Sequence, residues 1–396
     1  MHFSDTHLGR IKYGISESRQ DYINAFYEVI ELSKEEKPDI IIHSGDLFDN
    51  KTPDPLIMRD VFSKIIEVSK DMKFLIIPGN HDFSARTRLS PISILTLSSD
   101  NIKVVEHRDI LNSDGTINVE KLKFSFDGIN FYLLPYFHNS DVLRRVFPQI
   151  LESINVSEIN FLVMHQIVDQ EALYKKLKNK SLIQVDIPIE DLKLFDFVFL
   201  GHFHMPYLNE NLKFGYAGST EALSYDEYEY DDNGFIKDNT KKRVFIYEIL
   251  NKFEIKKKYL ILKTPRKYIK VELKDPSIQD IENNLKNLED KEAILILKID
   301  ELNSEILPEL KSILSRFKEK KKFYHIKDNV SVIKPTIQFG SSLSYVQDCE
   351  RIKLGDYYEL IKRIELECEN FEDKNDRQER IKRMLEESYD IKKYQN

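Results

Sequence analysis

No stretch of the 396-residue chain approaches the roughly 20 consecutive apolar residues of a membrane span, and the N-terminus lacks a secretory-signal pattern. An intracellular protein without membrane contact is expected. Cysteine is nearly absent: Cys349 and Cys368, both near the C-terminus, are the only two. That excludes a disulfide framework and a closed thiolate metal site, so any metal would have to be held by His, Asp and Asn. An excess of positive charge is also lacking, since the net charge is −8. The average conceals uneven segments, with eleven Lys/Arg against two acids from Lys241 to Lys270 and eight against two from Lys311 to Lys334. Such runs are either solvated faces or phosphate-facing surfaces.

What is present is an alternation of apolar runs and helical periodicity. Ser18 to Lys34 has apolar residues at helical spacing, and Asp54 as cap with Pro55 behind it starts a helix reaching about Ser69. Between and after these lie the buried-strand runs Asp39–His43 and Phe74–Ile77, which makes this an α/β protein with largely parallel strands. Lys121–Phe126 with Asn130–Leu134, and Arg243–Leu250 with Phe253–Leu262, read as hairpins. The acidic, tyrosine-rich stretch Asp226–Asp232 reads as a solvated loop. At 396 residues the chain exceeds one ordinary core. The expected division is 1–262, then a small α+β module over 263–335, then a linker and two charged amphipathic helices over 336–396.

The apolar runs end in residues of one chemical kind. Asp5 and His7 follow the first strand, Asp46 the second and Asn80 the third, while His165, His202 and His204 follow two later ones; Phe197–Leu200 runs straight into Gly201, expected to turn the chain sharply. Carboxyl ends of strands are where such folds place their sites. A pair of divalent ions needs one bridging carboxylate, and Asp46 is the natural bridge. An O/N donor set suits Mn²⁺, Fe²⁺ or Zn²⁺ better than Ca²⁺.

Asp5-x-His7, Gly45-Asp46-x-x-Asp49, Gly79-Asn80-His81-Asp82, His165 and Gly201-His202-x-His204 resemble, in order, the motif set of the calcineurin-like metallophosphoesterases. Within that superfamily, Ser4–Gly9, Tyr13-Gly14, Arg19–Asp21, His43–Asp49 and Gly218-Ser219-Thr220-Glu221 look like the Mre-eleven/SbcD nucleases of DNA double-strand-break repair. The resemblance implies a β-sandwich flanked by helices, with a small capping domain and a C-terminal helical hairpin. Asp5, His7, Asp46 and His204 would hold one metal, and Asp46, Asn80, His165 and His202 the other, with manganese the expected ion. His81 would protonate the leaving 3′-oxygen or orient the phosphate, and Asp82 would hold its ring. Asp49 stands where some members have a histidine linked to exonuclease activity; an aspartate cannot donate as an imidazolium does. His43 reads as a residue behind the ligands or in the core. Members also carry several residues before the His-x-Ser-Asp stretch, so the chain is expected to begin inside its natural first strand.

The implied function is DNA double-strand-break processing by exo- or endonucleolytic phosphodiester hydrolysis, in a cytoplasmic or nucleoid-associated homodimer working with a Rad-fifty/SbcC-type ATPase. Lys256, Lys257, Lys258, Lys320, Lys321 and Lys322 are the candidate DNA contacts. Tyr358, Leu360, Ile361, Ile364, Ile381 and Leu385 on the terminal helices are the candidate ATPase contacts. Two alternatives remain at this stage: a phosphoesterase of the same superfamily acting on small esters, and a weakly catalytic scaffold bridging DNA ends.

Overall fold

The apolar runs pair as two six-stranded sheets in a computed structural model, which describes residues 1–84, 89–105, 107–112, 114–169, 187–286 and 288–333. The first sheet runs Glu254–Ile261, Arg243–Asn251, His2–Phe3, Ile40–His43, Lys73–Ile76, Ile102–Val104, and its last four strands are mutually parallel. The second runs Tyr207–Asn209, Phe214–Tyr216, Phe197–Leu200, Ile159–Met164, Ile129–Leu134, Lys123–Phe126, with its middle four parallel. Side chains alternate across the first sheet. Ile42 and Leu75 join Phe131, Phe161 and Phe199 of the second sheet in the sandwich interior. Ile41, Phe74 and Ile76 face outward, onto Phe26 and Val29 of helix Arg19–Glu36 and Val61 and Ile65 of helix Pro55–Val68.

Both sequence-read helices form, and Asp54 caps the second by accepting from the Leu56 amide at 2.8 Å. Both hairpins form too; Asp127 and Gly128, at φ 48° and 75°, supply the left-handed pair that a tight hairpin turn needs. Helix Ser140–Glu152, which packs Leu143, Val146 and Phe147 into the sandwich core, has no counterpart in the sequence reading. Pro148 lies inside it, the residue that ordinarily argues against a helix interior.

Residues 267–333 carry a core of their own. Strands Lys267–Lys274, Asp290–Asn303 and Phe323–Ile333 are all parallel, joined through helices Ile278–Leu285 and Leu307–Glu319, so the module is a β-α-β-α-β unit rather than segregated helices and strands. One face of its sheet packs Leu295, Leu297 and Ile299 against Ile281, Leu285 and Ile313 of those helices. The other face, with Tyr268, Ile294 and Ile296, rests on Ala222 and Tyr228. The stretch Asp226–Asp232 is therefore not simply a solvated loop: Glu227 and Tyr228 are buried and form part of the seat of the module. Residues 1–335 form one compact unit. The terminal helices and the candidate ATPase contacts lie outside the described residues. Among the described residues, no helix is long and apolar enough to cross a membrane.

Candidate metal centre

The strands His2–Phe3, Ile40–His43, Lys73–Ile76, Ile159–Met164 and Phe197–Leu200 bring their carboxyl ends together, and Asp5, Asp46, Asn80, His165 and His202 each follow within four residues. Asp5, His7, Asp46 and His202 sit in left-handed backbone at φ 51°, 42°, 57° and 85°, which makes them four of the eleven such non-glycine residues among those described. This costs of order 1–3 kcal/mol each and persists where the surroundings over-determine it, as in binding sites. Here the backbone ladder does so: the Asp5 amide donates to Gly45 O at 3.0 Å and the His7 amide to Asp46 O at 3.1 Å.

Gly201 works differently from the sequence expectation. It lies outside the left-handed region, and the turn falls on His202. What Gly201 supplies is room, because a Cβ there would lie 2.1 Å from the Ser44 carbonyl oxygen and 2.6 Å from His165 Nδ1. Gly79 does the same for Asp46, whose Oδ1 would be 2.1 Å from its Cβ.

The donor atoms gather as two sets. In one, His7 Nε2 and His204 Nε2 stand 3.3 Å apart, with Asp5 Oδ1 3.9 Å from His204 Nε2 and Asp46 Oδ2 3.7 Å from His7 Nε2. In the other, Asn80 Oδ1 lies 2.8 Å from His202 Nδ1 and 3.1 Å from His165 Nε2, with Asp46 Oδ2 3.2 Å from the latter. Asp46 thus touches both sets. Two outward nitrogens are hydrogen-bonded, His165 Nδ1 with Ser44 O at 2.7 Å and His204 Nδ1 with Glu227 Oε1 at 3.1 Å, while His7 Nδ1 lies 3.3 Å from Asp49 Oδ1 without hydrogen-bond geometry. A neutral imidazole whose outer nitrogen carries the proton turns a bare lone pair inward. Carboxylate, amide oxygen and bare imidazole nitrogens converging without a hydrogen to share are a donor set that fits divalent cations. Three overlapping residue groups have the required closeness: Asp5, His7 and His204; Asp46, His165 and His202; His7, Asp49 and His81.

The electrostatics agree. Burial disfavours a charged His165, but the Asp46 carboxylate outweighs it and raises the imidazole to about 9, so that a proton occupies the place a cation would fill. Asp46 is held well below the usual carboxylate range because, against burial, His165 and His7 favour its charge. His202 is pushed down to about 3 by burial and then by the His165 charge.

His81 is half-buried at the mouth of the two sets. Its amide donates to Asp46 Oδ1 at 2.8 Å, its Nδ1 contacts the Asp49 carbonyl at 2.8 Å, and its ring packs edge-on to His7. The expectation that Asp82 holds this ring is corrected. Asp82 is buried and accepts from the amides of Leu47, Phe48 and Gly79 at 2.9–3.1 Å, tying the Asp46 loop to the Asn80 loop. The ring's Nδ1 meets the Asp49 carbonyl instead. Asp49 lies behind His7 and accepts from Arg10 Nη1 at 2.8 Å. His43 is buried behind the ligands, with Nε2 3.3 Å from Thr6 Oγ1, and reaches neither set.

The sequence reading missed Arg10, Tyr136, Glu227 and Lys242. Tyr136 lies over the His202 ring at 5.5 Å between centroids, and Lys242 Nζ donates to Glu227 Oε2 at 2.6 Å. The Gly218–Glu221 motif held the available signal. Ser219 Oγ donates to Glu227 Oε2 at 3.0 Å, and buried Glu221 joins Lys12 Nζ at 2.8 Å to the Arg266 amide at 2.8 Å, where the small module begins.

The basic candidates are dispersed. Lys256, Lys257 and Lys258 lie on an edge strand opposite Glu248, Tyr247 and Ile246, whereas Phe245 pairs with His2; the register sets them toward the end of the sheet away from the ligands. Lys258 Nζ is paired with Glu36 at 2.6 Å and Lys257 Nζ lies over the Phe197 ring. Lysine on an edge strand also blocks strand addition by other chains. Lys320, Lys321 and Lys322 follow helix Leu307–Glu319, and two of them line a cleft of about 310 Å³ with Lys286 and Arg316.

Burial makes the protein acid-sensitive. Desolvation, then the His165 charge, lowers His43 to about 3, and burial holds His2 well below its ordinary value. Below pH ~6.5 the unfolded chain takes up protons that folded His43 refuses until near pH 3 and that folded His2 likewise refuses well below its ordinary value. Stability of the ion-free protein should therefore fall as pH drops through this window, by about 1.4 kcal/mol per unit for each such histidine. Urea unfolding at stepped pH measures it; a flat profile between pH 6.5 and 4 would contradict it.

Residues 1–206 match the family model for calcineurin-like phosphoesterases. Among curated proteins, the chain is 28% identical over 250 residues to "DNA double-strand break repair protein Mre11" of Methanocaldococcus jannaschii, covering 59% of this chain and 60% of that protein. Proteins of the same name from Thermoplasma acidophilum and Saccharolobus solfataricus are 27% identical over 308 residues and 31% identical over 238. These two alignments cover 76% and 58% of this chain, and 73% and 56% of the relatives. The matched region carries all seven converging candidate ligands in motif order, and the chain belongs to the calcineurin-like phosphoesterase family, with its similarity inside that family running to the Mre11 proteins.

Proposed function

We propose that this protein is a DNA nuclease that hydrolyses phosphodiesters at a two-metal centre, with manganese as the working ion. The observation that carries the reading is the convergence of Asp5, His7 and His204 on one side of Asp46, and Asn80, His165 and His202 on the other. Two divalent ions in these sets would supply charge neutralisation of the phosphate oxygens and activation of water at neutral pH. The chain's own residues do the rest. His81, whose Nδ1 meets the Asp49 carbonyl, keeps Nε2 for the substrate and can deliver a proton from it to the leaving 3′-oxygen. Arg10, anchored by Asp49 and part-exposed, offers its remaining N–H groups to a phosphate.

The relatives' printed name, double-strand-break repair, supports DNA as substrate. Of the basic candidates, Lys320 and Lys322 share one cleft with Lys286 and Arg316, whereas the register sets Lys256, Lys257 and Lys258 toward the end of the sheet away from the candidate metal centre, so the cleft is the surface better suited to a polyanion. For a homodimer, the first domain exposes the apolar side chains of Leu56 at 63%, Ile94 at 52% and Leu97 at 88%. The Rad-fifty/SbcC-type ATPase is assigned to the amphipathic segments after residue 336, on the sequence pattern alone.

The test is cleavage of end-labelled double- and single-stranded DNA with Mn²⁺, beside chromogenic phosphate mono- and diesters. Manganese-dependent DNA cleavage is expected. Hydrolysis of small esters with DNA left intact would replace the nuclease reading with a general phosphoesterase.

A further inference from the structure

The His204 side chain is 26% exposed, whereas those of His7 and His165 are fully buried. Burial and packing fix those two rings; something else must fix this one. Its Nδ1 lies 3.1 Å from Glu227 Oε1, and Glu227 is held in turn by three groups: the Leu223 amide on Oε1, and Ser219 Oγ and Lys242 Nζ on Oε2. Lys242 Nζ also donates to the carbonyl of His204 itself at 3.0 Å and to Ser219 Oγ at 2.8 Å. The ammonium and the carboxylate thus hold one residue from two directions, main chain and ring.

We propose that Glu227, clamped by Lys242, is the positioning residue that fixes the His204 imidazole with Nε2 turned toward Asp5 and His7. The assignment rests on the metal-centre reading. A buried Lys–Glu pair is seldom the most stable filling of its space, and apolar residues of similar volume often serve as well or better. This pair instead makes sense as a geometric device. Its carboxylate gives the His204 Nδ1–H an acceptor, which selects the tautomer with Nε2 bare and removes the ring's freedom to flip. Outer partners of this kind are worth about 10- to 100-fold in ion affinity. In the set around Asn80, His165 Nδ1 uses the Ser44 carbonyl and Glu227 takes no part, so the effect should fall on one ion of the two.

Two double variants of the full chain separate positioning from packing. Glu227→Gln with Lys242→Met removes both charges but leaves an amide oxygen to accept from Nδ1–H. Glu227→Leu with Lys242→Met removes the charges and the acceptor. Mn²⁺ binding, followed by calorimetry and electron paramagnetic resonance, should show two ions in the wild type and in the glutamine variant. In the leucine variant one ion should weaken about 10- to 100-fold while the other keeps its affinity. Equal binding in the two variants, whether both normal or both impaired, would overturn the positioning role. A wild type that binds no ion would overturn the metal centre itself, a result distinguishable from the first.

Discussion

Replacing His81 by asparagine is expected to lower DNA cleavage by about 10²- to 10⁴-fold, the usual worth of a positioned proton donor, while both ions remain bound. The backbone makes this separation possible. Position 81 is anchored through its amide, which donates to Asp46 Oδ1 at 2.8 Å, and that bond survives any side-chain change. The imidazole is not placed among the seven ligands; it meets the Asp49 carbonyl through Nδ1 and packs on the His7 ring. Asparagine can keep a hydrogen bond to that carbonyl, but it has no nitrogen that titrates near neutrality. Cleavage of end-labelled DNA, with manganese content and DNA affinity measured on the same preparation, checks the expectation. Unchanged cleavage would remove His81 from the chemistry, and joint loss of cleavage and manganese would make it a ligand.

Gly201→Ala should damage both stability and the candidate metal centre. Its Cβ would meet the Ser44 carbonyl oxygen at 2.1 Å and His165 Nδ1 at 2.6 Å, and the second of these would push between Nδ1 and Ser44 O, now 2.7 Å apart. Neither neighbour is the free end of a flexible chain. Backbone must move, at a cost at or above the about 1–3 kcal/mol of ordinary overpacking. The shift lands on His165, so manganese affinity at the Asp46–His165–His202 set should fall about 10- to 100-fold beyond the loss of stability. Thermal unfolding of the ion-free protein and a manganese titration test the two parts separately. A variant with wild-type melting and wild-type titration would show that the loops are looser than these distances require.

The parts legible in the sequence were those with local signatures. Asp54-Pro55 marks a helix start by capping chemistry, Asp127-Gly128 a hairpin by its left-handed backbone, and Phe197–Leu200 a buried strand by being continuously apolar. Asp5, Asp46, Asn80, His165 and His202 were visible because each ends such a run. Glu227 carried no such mark. It lies in an acidic, tyrosine-rich stretch whose composition reads as solvated, and becomes buried only because Lys242 neutralises it and Tyr228 packs on Tyr268 from the small module. Asp82 was misread for a related reason: the motif puts it beside His81, while the contacts put it on the amides of Leu47, Phe48 and Gly79. Helix Ser140–Glu152 was hidden by Pro148, which its burial against the sandwich overrides.

Asp49 has a definite place in this arrangement. Its Oδ1 lies 3.3 Å from His7 Nδ1 and accepts from Arg10 Nη1 at 2.8 Å, and against the opposing burial these two neighbours favour its charge. That is a supporting role behind the ligands rather than proton donation.

In the proposed centre, two ions share Asp46. Anomalous diffraction at the manganese edge from crystals grown with Mn²⁺ tests it most directly. Two peaks are expected about 3.5–4 Å apart, the spacing of two-metal phosphoesterase sites. One should lie among Asp5, His7 and His204, the other among Asn80, His165 and His202, both beside Asp46, whose Oδ2 approaches both sets. A single peak, or manganese bound away from Asp46, would contradict it.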